Sequence, residues 1–130
     1  MTEPLHGIHV AADEGKLHVL KGAQRRVKVT SEQTEGHLIA AVGTYPVGVP
    51  YHLHVHHTTI ESFFILEGSV RFYVDGTVVE AEQGAFVSVP RGAAHGFVAT
   101  STGTRAFVML TPGRWDVESI GPLPEEMLDS

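Results

Sequence analysis

Three histidines alternate along one short stretch of the chain, His52-Leu53-His54-Val55-His56. In an extended strand successive side chains point to opposite faces, so His52, His54 and His56 are predicted to share one face. Neighbours on that face lie about 6.6 Å apart along the strand, a gap that imidazole arms can close onto an ion held at about 2.0–2.1 Å. Because each buried imidazole needs a polar partner, three on one face are costly as packing, and a metal ion satisfies all of them together.

Glu61 is a fourth candidate ligand. It follows the short polar turn 57–59 and begins an apolar segment in which Glu61, Phe63 and Ile65 share a face. A carboxylate at the mouth of an apolar face needs a partner, and a cation supplies one. The sequence thus places a carboxylate within a few residues of the histidine stretch.

A second stretch, from Gly84 to His95, carries backbone geometry as well as a histidine. Gly84 and Gly92 suit turns that need a positive φ, and Pro90 fixes the chain at a strand end before the turn into His95. Alone, this stretch would be an ordinary loop. The remaining histidines outside both stretches are interpreted as surface or core residues.

The elements that must position these residues are predicted to be strands. Apolar segments are short, turn residues separate them and no amphipathic helix intervenes, a pattern typical of a sandwich or barrel. Asp75-Gly76 is the strongest hairpin signal because both residues tolerate positive φ, and Glu67-Gly68-Ser69 is a second tight turn. The predicted strands are Leu17–Leu20, Val27–Thr30, His37–Tyr45, His52–His56, Ile60–Leu66, Val70–Val74, Thr77–Glu80, Ala85–Val89, His95–Ala99 and Arg105–Leu110.

The ends of the chain differ from its middle. Residues 1–16 are predicted to form a short N-terminal arm, residues 17–111 one barrel, and residues 112–130 a C-terminal segment. Within that last segment, Trp115 to Ile120 are predicted to form one or two helical turns that end at Gly121-Pro122. Residues 125–130 are predicted to be a mobile acidic tail.

Composition argues against several classes of function. A chain of 130 residues fits one domain with a real core, and a formal net charge of −6 disfavours nucleic acid as a partner. Cysteine is absent, which rules out thiolate ligands and nucleophiles. With no apolar run of about 20 residues and no signal-peptide pattern, we expect a cytoplasmic protein with a small-molecule substrate and no membrane partner.

Both stretches together resemble the two motifs of the cupin superfamily. The first motif corresponds to the segment 48–68 and the second to the segment 84–95, separated by fifteen residues. Only a final Asn of the second motif is missing, and Ala99 stands in its place. The nine matching positions are Gly48, His54, His56, Glu61, Gly68, Gly84, Pro90, Gly92 and His95.

The resemblance implies an all-β fold, a cupin jelly-roll barrel (a double-stranded β-helix). It also implies one divalent transition metal ion per chain, bound by His54, His56, Glu61 and His95. The donor set suits Fe, Mn, Ni, Cu, Co or Zn. His52 stays open: it is either a further polar group of the pocket or a ligand in place of Glu61 in a four-histidine site. The other candidate pocket residues are aromatic or aliphatic, namely Phe63, Ile65, Phe72 and Phe97.

Within the superfamily the chain is similar to small quercetin-dioxygenase-like proteins, through its stretches 19–23, 28–30 and 61–68. The implied chemistry is oxygen-dependent cleavage of an aromatic or enolisable hydroxy-ketone, with Glu61 as the catalytic acceptor of the substrate's hydroxyl proton. Two alternatives stay open: a non-redox enzyme such as a polyketide cyclase or isomerase, and a non-catalytic ligand-binding protein. We also expect a homodimer, with the N-terminal arm, Trp115 and Ile120 covering apolar surface.

Overall fold

The computed structural model describes residues 7–128, and within them eleven strands form two sheets. The first six residues of the predicted arm and the last two of the C-terminal segment lie outside that range. The strands are β1 Lys16–Leu20, β2 Ala23–Val29, β3 Ile39–Tyr45, β4 Pro50–His56, β5 Ile60–Glu67, β6 Ser69–Val74, β7 Thr77–Glu82, β8 Phe86–Val89, β9 His95–Ala99, β10 Thr104–Thr111 and β11 Val117–Gly121. Two single 3-10 turns lie at Glu32–Thr34 and Glu125–Met127.

The two sheets are antiparallel throughout their named pairings. One has the order β1-β2-β3-β10-β5-β8 and the other β11-β4-β9-β6-β7. From β4 to β6, and again from β7 to β11, each successive strand joins the opposite sheet. This confirms the predicted all-β jelly roll. No helix among residues 7–128 is long and apolar enough to cross a membrane.

The apolar core lies between the sheets and is built around aromatic rings. Phe63, Phe72 and Phe97 pack with ring centroids 4.9–5.7 Å apart and are almost completely buried. Ile65 and Val70 belong to the same cluster. Period-two alternation turns every second residue of β5 toward the core. The residues that follow Glu61 on that face, Phe63 and Ile65, are therefore apolar.

Two predicted turns are present, but they differ in kind. Asp75 and Gly76 have φ values of 46° and 88° and join β6 to β7 as the predicted hairpin. Gly68 instead joins β5 to β6 across the two sheets. Its φ is 80°, and an added Cβ would lie 2.3 Å from Thr104 Oγ1, so only glycine fits that corner.

The C-terminal segment departs from the prediction. The helical turns predicted for Trp115–Ile120 are wrong in place: Val117–Gly121 is strand β11, and the short helical segment is the 3-10 turn at Glu125–Met127. Strand β11 pairs with β4, and that pairing satisfies backbone groups along an otherwise open sheet edge, which outweighs a weak local helix signal. Residues 125–128 are not a free tail either, because Met127 is fully buried.

We predict that the protein is a homodimer. Edge strands β1 and β11 both expose apolar side chains, including Val19, Leu20 and Ile120, each more than half exposed. Light scattering at micromolar concentration should give about twice the 14.0 kDa chain mass. Val19→Glu should shift the protein toward the monomer because it puts charge into the apolar contact. Val78→Glu on the opposite edge strand β7 is the matched control, and a 14 kDa species for the unaltered protein would contradict the prediction.

Candidate metal centre

Four side chains from three strands converge inside the barrel. His54 and His56 project from β4, and His95 opens β9, which pairs with β4 so that His54 lies opposite His95. Glu61 reaches the same place from β5 in the facing sheet. One ligand atom from each of the four residues lies within 4.8 Å of the others. The structure therefore brings together the residues that the two motifs pointed to.

The spacing of the ligand atoms suits a single ion. Glu61 Oε1 lies 2.9 Å from His95 Nε2, 3.2 Å from His56 Nε2 and 3.8 Å from His54 Nε2. Two ligand atoms that each lie about 2.1 Å from a shared ion are separated by about 3.0 Å at right angles and about 3.4 Å at the tetrahedral angle. The three distances bracket these values.

Backbone carbonyls orient two of the imidazoles. His54 Nδ1 lies 2.9 Å from the His52 carbonyl oxygen, and His95 Nδ1 lies 3.0 Å from the Ala93 carbonyl oxygen. Because a carbonyl only accepts, each Nδ1 must carry the hydrogen and donate it. In the neutral ring that leaves the lone pair of Nε2 directed at the cluster, which is the tautomer that a metal-binding histidine needs.

The surroundings of His56 favour a bound ion most clearly. The ring is 3% exposed, and neither of its nitrogens has a hydrogen-bond partner among the described residues. A buried polar atom without a partner costs free energy, and a cation at the cluster would satisfy Nε2. The type of donor atom and the burial of the four side chains therefore both suit a divalent metal.

Asp116 stands behind His56. Its Oδ1 lies 3.7 Å from His56 Nδ1, and the Thr58 amide and the Thr58 and Thr59 hydroxyls all donate to the Asp116 carboxylate. Burial by itself would raise the pKa of Asp116, but those hydrogen bonds outweigh it and lower the pKa to about 2. Asp116 is thus a fixed, ionised acceptor facing the ring atom that does not point at the cluster.

Glu61 is also ionised, although it is buried. Burial acts to raise the pKa of its carboxyl, but the imidazoles of His54, His56 and His95 next to it, together with the charge of Arg25, hold the pKa well below its usual range. Oε1 is turned to the imidazoles, and Oε2 lies on the side of Arg25. This suits a carboxylate that serves as a ligand.

Sequence reasoning missed Arg25. Its Nη1 lies 3.9 Å from Glu61 Oε2, and its Nε donates to the Tyr45 hydroxyl at 3.0 Å. Strand β2 begins at Ala23 rather than at the predicted Val27, so the predicted strand does not include Arg25. The signal that could have identified Arg25 was its alternation with Ala23 and Val27, since all three residues line the cavity.

A cavity of about 520 Å³ opens beside the cluster, between strands β1 and β2 on one side and β4 and β11 on the other. Of the predicted pocket residues, His52 and Phe97 line it. Phe63, Ile65 and Phe72 do not, because they are buried in the core between the sheets. Trp115, interpreted from the sequence as a packing or dimer residue, lies on the cavity wall. The lining residues are His18, Leu20, Lys21, Ala23, Arg25, Val27, Tyr45, Tyr51, His52, His54, His56, Glu61, Phe97, Trp115, Val117 and Ser119.

A bulge in β4 changes which of its residues face the cavity. Tyr51 pairs with Phe97 and His54 with His95, so β4 holds one more residue than β9 between these two pairs. Tyr51 therefore lines the cavity together with His54, although strict alternation would separate them. His52 is exposed, with its Nδ1 3.2 Å from Lys21 Nζ, and Glu61 rather than His52 joins the cluster.

The fold has counterparts among known proteins. Residues 41–111 match the family model of the cupin domain. Quercetin 2,3-dioxygenase from Bacillus subtilis (strain 168) is 30% identical to the chain over 101 residues, which is 75% of this chain and 29% of that protein. The chain thus spans less than a third of the curated relative that it matches.

Solved structures show the same architecture. KdgF from Halomonas sp. superposes with a TM-score of 0.72 at 20% identity, over 81% of this chain and 94% of that one. Oxalate decarboxylase from Bacillus subtilis gives 0.74 at 19% identity, over 88% of this chain and 33% of that one. The nucleoside dehydratase Pac13 of Streptomyces gives 0.75 at 12% identity, over 93% of this chain and 97% of that one. At these identities the likeness concerns the fold alone.

We predict one divalent metal ion per chain, bound by His54, His56, Glu61 and His95. Removing two imidazoles in His54→Ala/His56→Ala should abolish stoichiometric metal in elemental analysis, while circular dichroism keeps the β signature. His57→Ala is the matched control, since that ring is exposed and pairs with Glu118 outside the cluster. A double variant that still carries one ion per chain would contradict the assignment.

A second prediction concerns Asp116. Asp116→Asn should weaken metal binding by about 10- to 100-fold, because the amide no longer offers a carboxylate to fix His56 in its metal-binding tautomer. Competition with a chromophoric chelator measures the affinity without any assay of activity. Glu118→Gln is the control, since the Glu118 side chain pairs with the exposed His57 ring outside the cluster. Equal affinities for Asp116→Asn and the unaltered protein would assign Asp116 a purely local role.

Proposed function

Since this chain belongs to the cupin family, we propose that it is a metal-dependent dioxygenase acting on an aromatic or enolisable hydroxy-ketone. The observation that carries the proposal is the cluster of three imidazoles and one carboxylate at the side of an aromatic-walled cavity. The identity of 30% with a quercetin 2,3-dioxygenase supports the reaction class. When bound, a divalent transition metal supplies a Lewis acid and a route for electrons to dioxygen.

The cavity walls would bind and orient a flat substrate. Tyr51 stacks on Phe97 with centroids 4.9 Å apart, and Tyr45 meets the Phe97 ring edge-on at 5.1 Å. A planar ring lying on these walls buries apolar area and excludes water from the cluster. His54, the most exposed of the three imidazoles in the cluster, stands at the boundary between the cavity and the buried carboxylate.

Glu61 would accept the proton of the substrate's hydroxyl. Oε1 is engaged by imidazoles, which leaves Oε2, on the Arg25 side, as the oxygen available to a proton. A carboxylate held ionised is a weak base, so it takes a proton readily only from an acidic hydroxyl, such as that of an enol or a phenol. This matches the proposed substrate class better than an aliphatic alcohol.

A non-redox enzyme is the second candidate, and one observation favours it. Besides the cluster, the cavity holds side chains able to carry protons, His52 at the exposed end and Tyr45 beside Arg25. Such groups serve elimination, isomerisation or cyclisation, which need acid–base chemistry but no oxygen. Oxygen consumption separates the two candidates.

The test is an oxygen electrode with a panel of flavonols and related polyphenols, using protein loaded in turn with iron, manganese, cobalt, nickel and copper. We expect substrate-dependent oxygen uptake for at least one pairing. Glu61→Gln, compared at equal metal content, should lower kcat by about 100-fold or more while ligand binding changes less, because it removes the proton acceptor. Glu118→Gln serves as the control.

Two other outcomes would replace the proposal. Anaerobic conversion of a substrate, with no oxygen uptake for any pairing, would assign the protein to the non-redox class. Ligand binding without conversion under either condition would make it a binding protein.

A further inference from the structure

We propose that the substrate is an aromatic anion, whose acid group is recognised by Arg25 and drawn in by Lys21. The inference rests on the proposed function only in placing the substrate in the cavity beside the metal cluster. It goes beyond that function because neither a hydroxy-ketone nor a flavonol need carry a charge. The charges of the cavity wall, the hydrogen-bond donors that Arg25 has to spare and the position of Lys21 support it.

The lining of the cavity is positive in a chain that is acidic. The whole sequence has 15 carboxylate residues against 9 lysines and arginines. Along the cavity wall the balance reverses, with the cations Lys21 and Arg25 against the single carboxylate Glu61. Glu61 lies near Arg25 and offsets one of these two positive charges, so the wall keeps a net positive charge through Lys21. A cavity with charge of one sign and low-dielectric walls focuses the field on ligands of the opposite sign.

Arg25 retains hydrogen-bond capacity at the inner end. Its guanidinium has five N–H donors. Nε–H is used by the Tyr45 hydroxyl, whereas the 3.9 Å from Nη1 to Glu61 Oε2 is an ion-pair distance, too long for a hydrogen bond. Only a quarter of the side chain is exposed, so its remaining donors lack full hydration. A planar carboxylate is the ligand that a guanidinium fork fits best.

Lys21 occupies an unusual place at the entrance. It forms, with Gly22, the turn between β1 and β2, and its φ of 48° lies in the left-handed region that glycine and asparagine favour. A two-residue hairpin requires positive φ at both central positions, and this turn holds the Lys21 side chain at the cavity wall. The ammonium lies 3.2 Å from His52 Nδ1 on β4, at the cavity lining, and no carboxylate among residues 7–128 lies within 4.0 Å of it.

The aromatic walls define the rest of the ligand. Tyr45, Tyr51 and Phe97 line the same cavity as the two cationic residues and the cluster, and their rings offer flat apolar surface. A ligand that satisfies both features has a planar ring and an acid group at one end. A cavity of about 520 Å³ holds one such molecule.

The test compares 4-hydroxybenzoate with its neutral isostere 4-hydroxybenzamide on the metal-loaded protein, with affinities from isothermal titration calorimetry. Trp115 is the only tryptophan of the chain and lines the cavity, so quenching of its emission reports that binding occurs there. We expect the acid to bind at least about 10-fold more tightly than the amide. We expect Arg25→Gln to weaken acid binding by about 10- to 100-fold and to leave amide binding nearly unchanged.

Three further variants test the role of Lys21, separate the charge of Arg25 from its shape, and control for the loss of a cation elsewhere. Lys21→Met alters an exposed turn residue without touching the cluster and should weaken acid binding by a few-fold. Arg25→Lys keeps the charge but loses the fork, so it should restore part of the affinity lost in Arg25→Gln. Arg105→Gln is the charge-matched control, since Arg105 pairs with Glu67 on the surface, and should bind both probes normally.

Two results would overturn the inference. One is equal binding of acid and amide. The other is an acid preference that survives in Arg25→Gln/Lys21→Met, which would assign the preference to the metal ion alone. The inference and the proposed function fail separately: oxygen uptake with neutral flavonols but no acid preference removes only this inference, whereas acid preference without oxygen uptake removes only the dioxygenase.

Discussion

The buried carboxylate of Glu61 is the interaction on which the rest of the site depends. It is 2% exposed, and it stays ionised only because three imidazoles and Arg25 surround it. Removing a partner from a buried charge is expensive, because the desolvated charge is left uncompensated. The partners come from both sheets: Arg25 shares a sheet with Glu61, and the imidazoles come from β4 and β9 in the other. The cluster thus links the two sheets electrostatically where the aromatic core links them by packing.

Departures from regular β geometry make that convergence possible. The bulge in β4 lets Tyr51 reach the cavity while His54 still faces Glu61. Gly96 lies opposite the bulge, where an added Cβ would be 2.7 Å from the Tyr51 carbonyl oxygen, so the close approach of β9 requires glycine. Gly68 does the same at the corner between the sheets. These positions set the geometry of the site without contributing a functional group.

Residues outside the cluster, which contact its side chains or line the cavity, complete this site. Asp116 reaches His56 because strand β11 pairs with β4 and Thr58 and Thr59 anchor the carboxylate. The same segment brings Trp115 to the cavity wall. Across the cavity, the turn between β1 and β2 contributes Lys21, and β2 contributes Arg25. Segments on either side of the two motifs therefore complete the cavity. The candidate metal ligands come from the middle of the chain.

Much of the fold and the central cluster could be predicted from the sequence, because both depend on local patterns. Strand alternation and the Asp75-Gly76 turn each depend on a few neighbouring residues, and they predicted a sandwich or barrel. The spacing of the two motifs, through the resemblance to the cupin superfamily, implied the jelly roll and the ligands His54, His56, Glu61 and His95. The rest depended on tertiary structure. Alternation says that Phe63, Ile65 and Phe72 face inward, but only the packing of the sheets decides that they fill the core rather than line the cavity. The roles of Arg25, Trp115 and Asp116, and the place of His52, follow from strand pairings and one bulge between segments distant in sequence. Such pairings satisfy backbone groups over long range, and no local pattern encodes them.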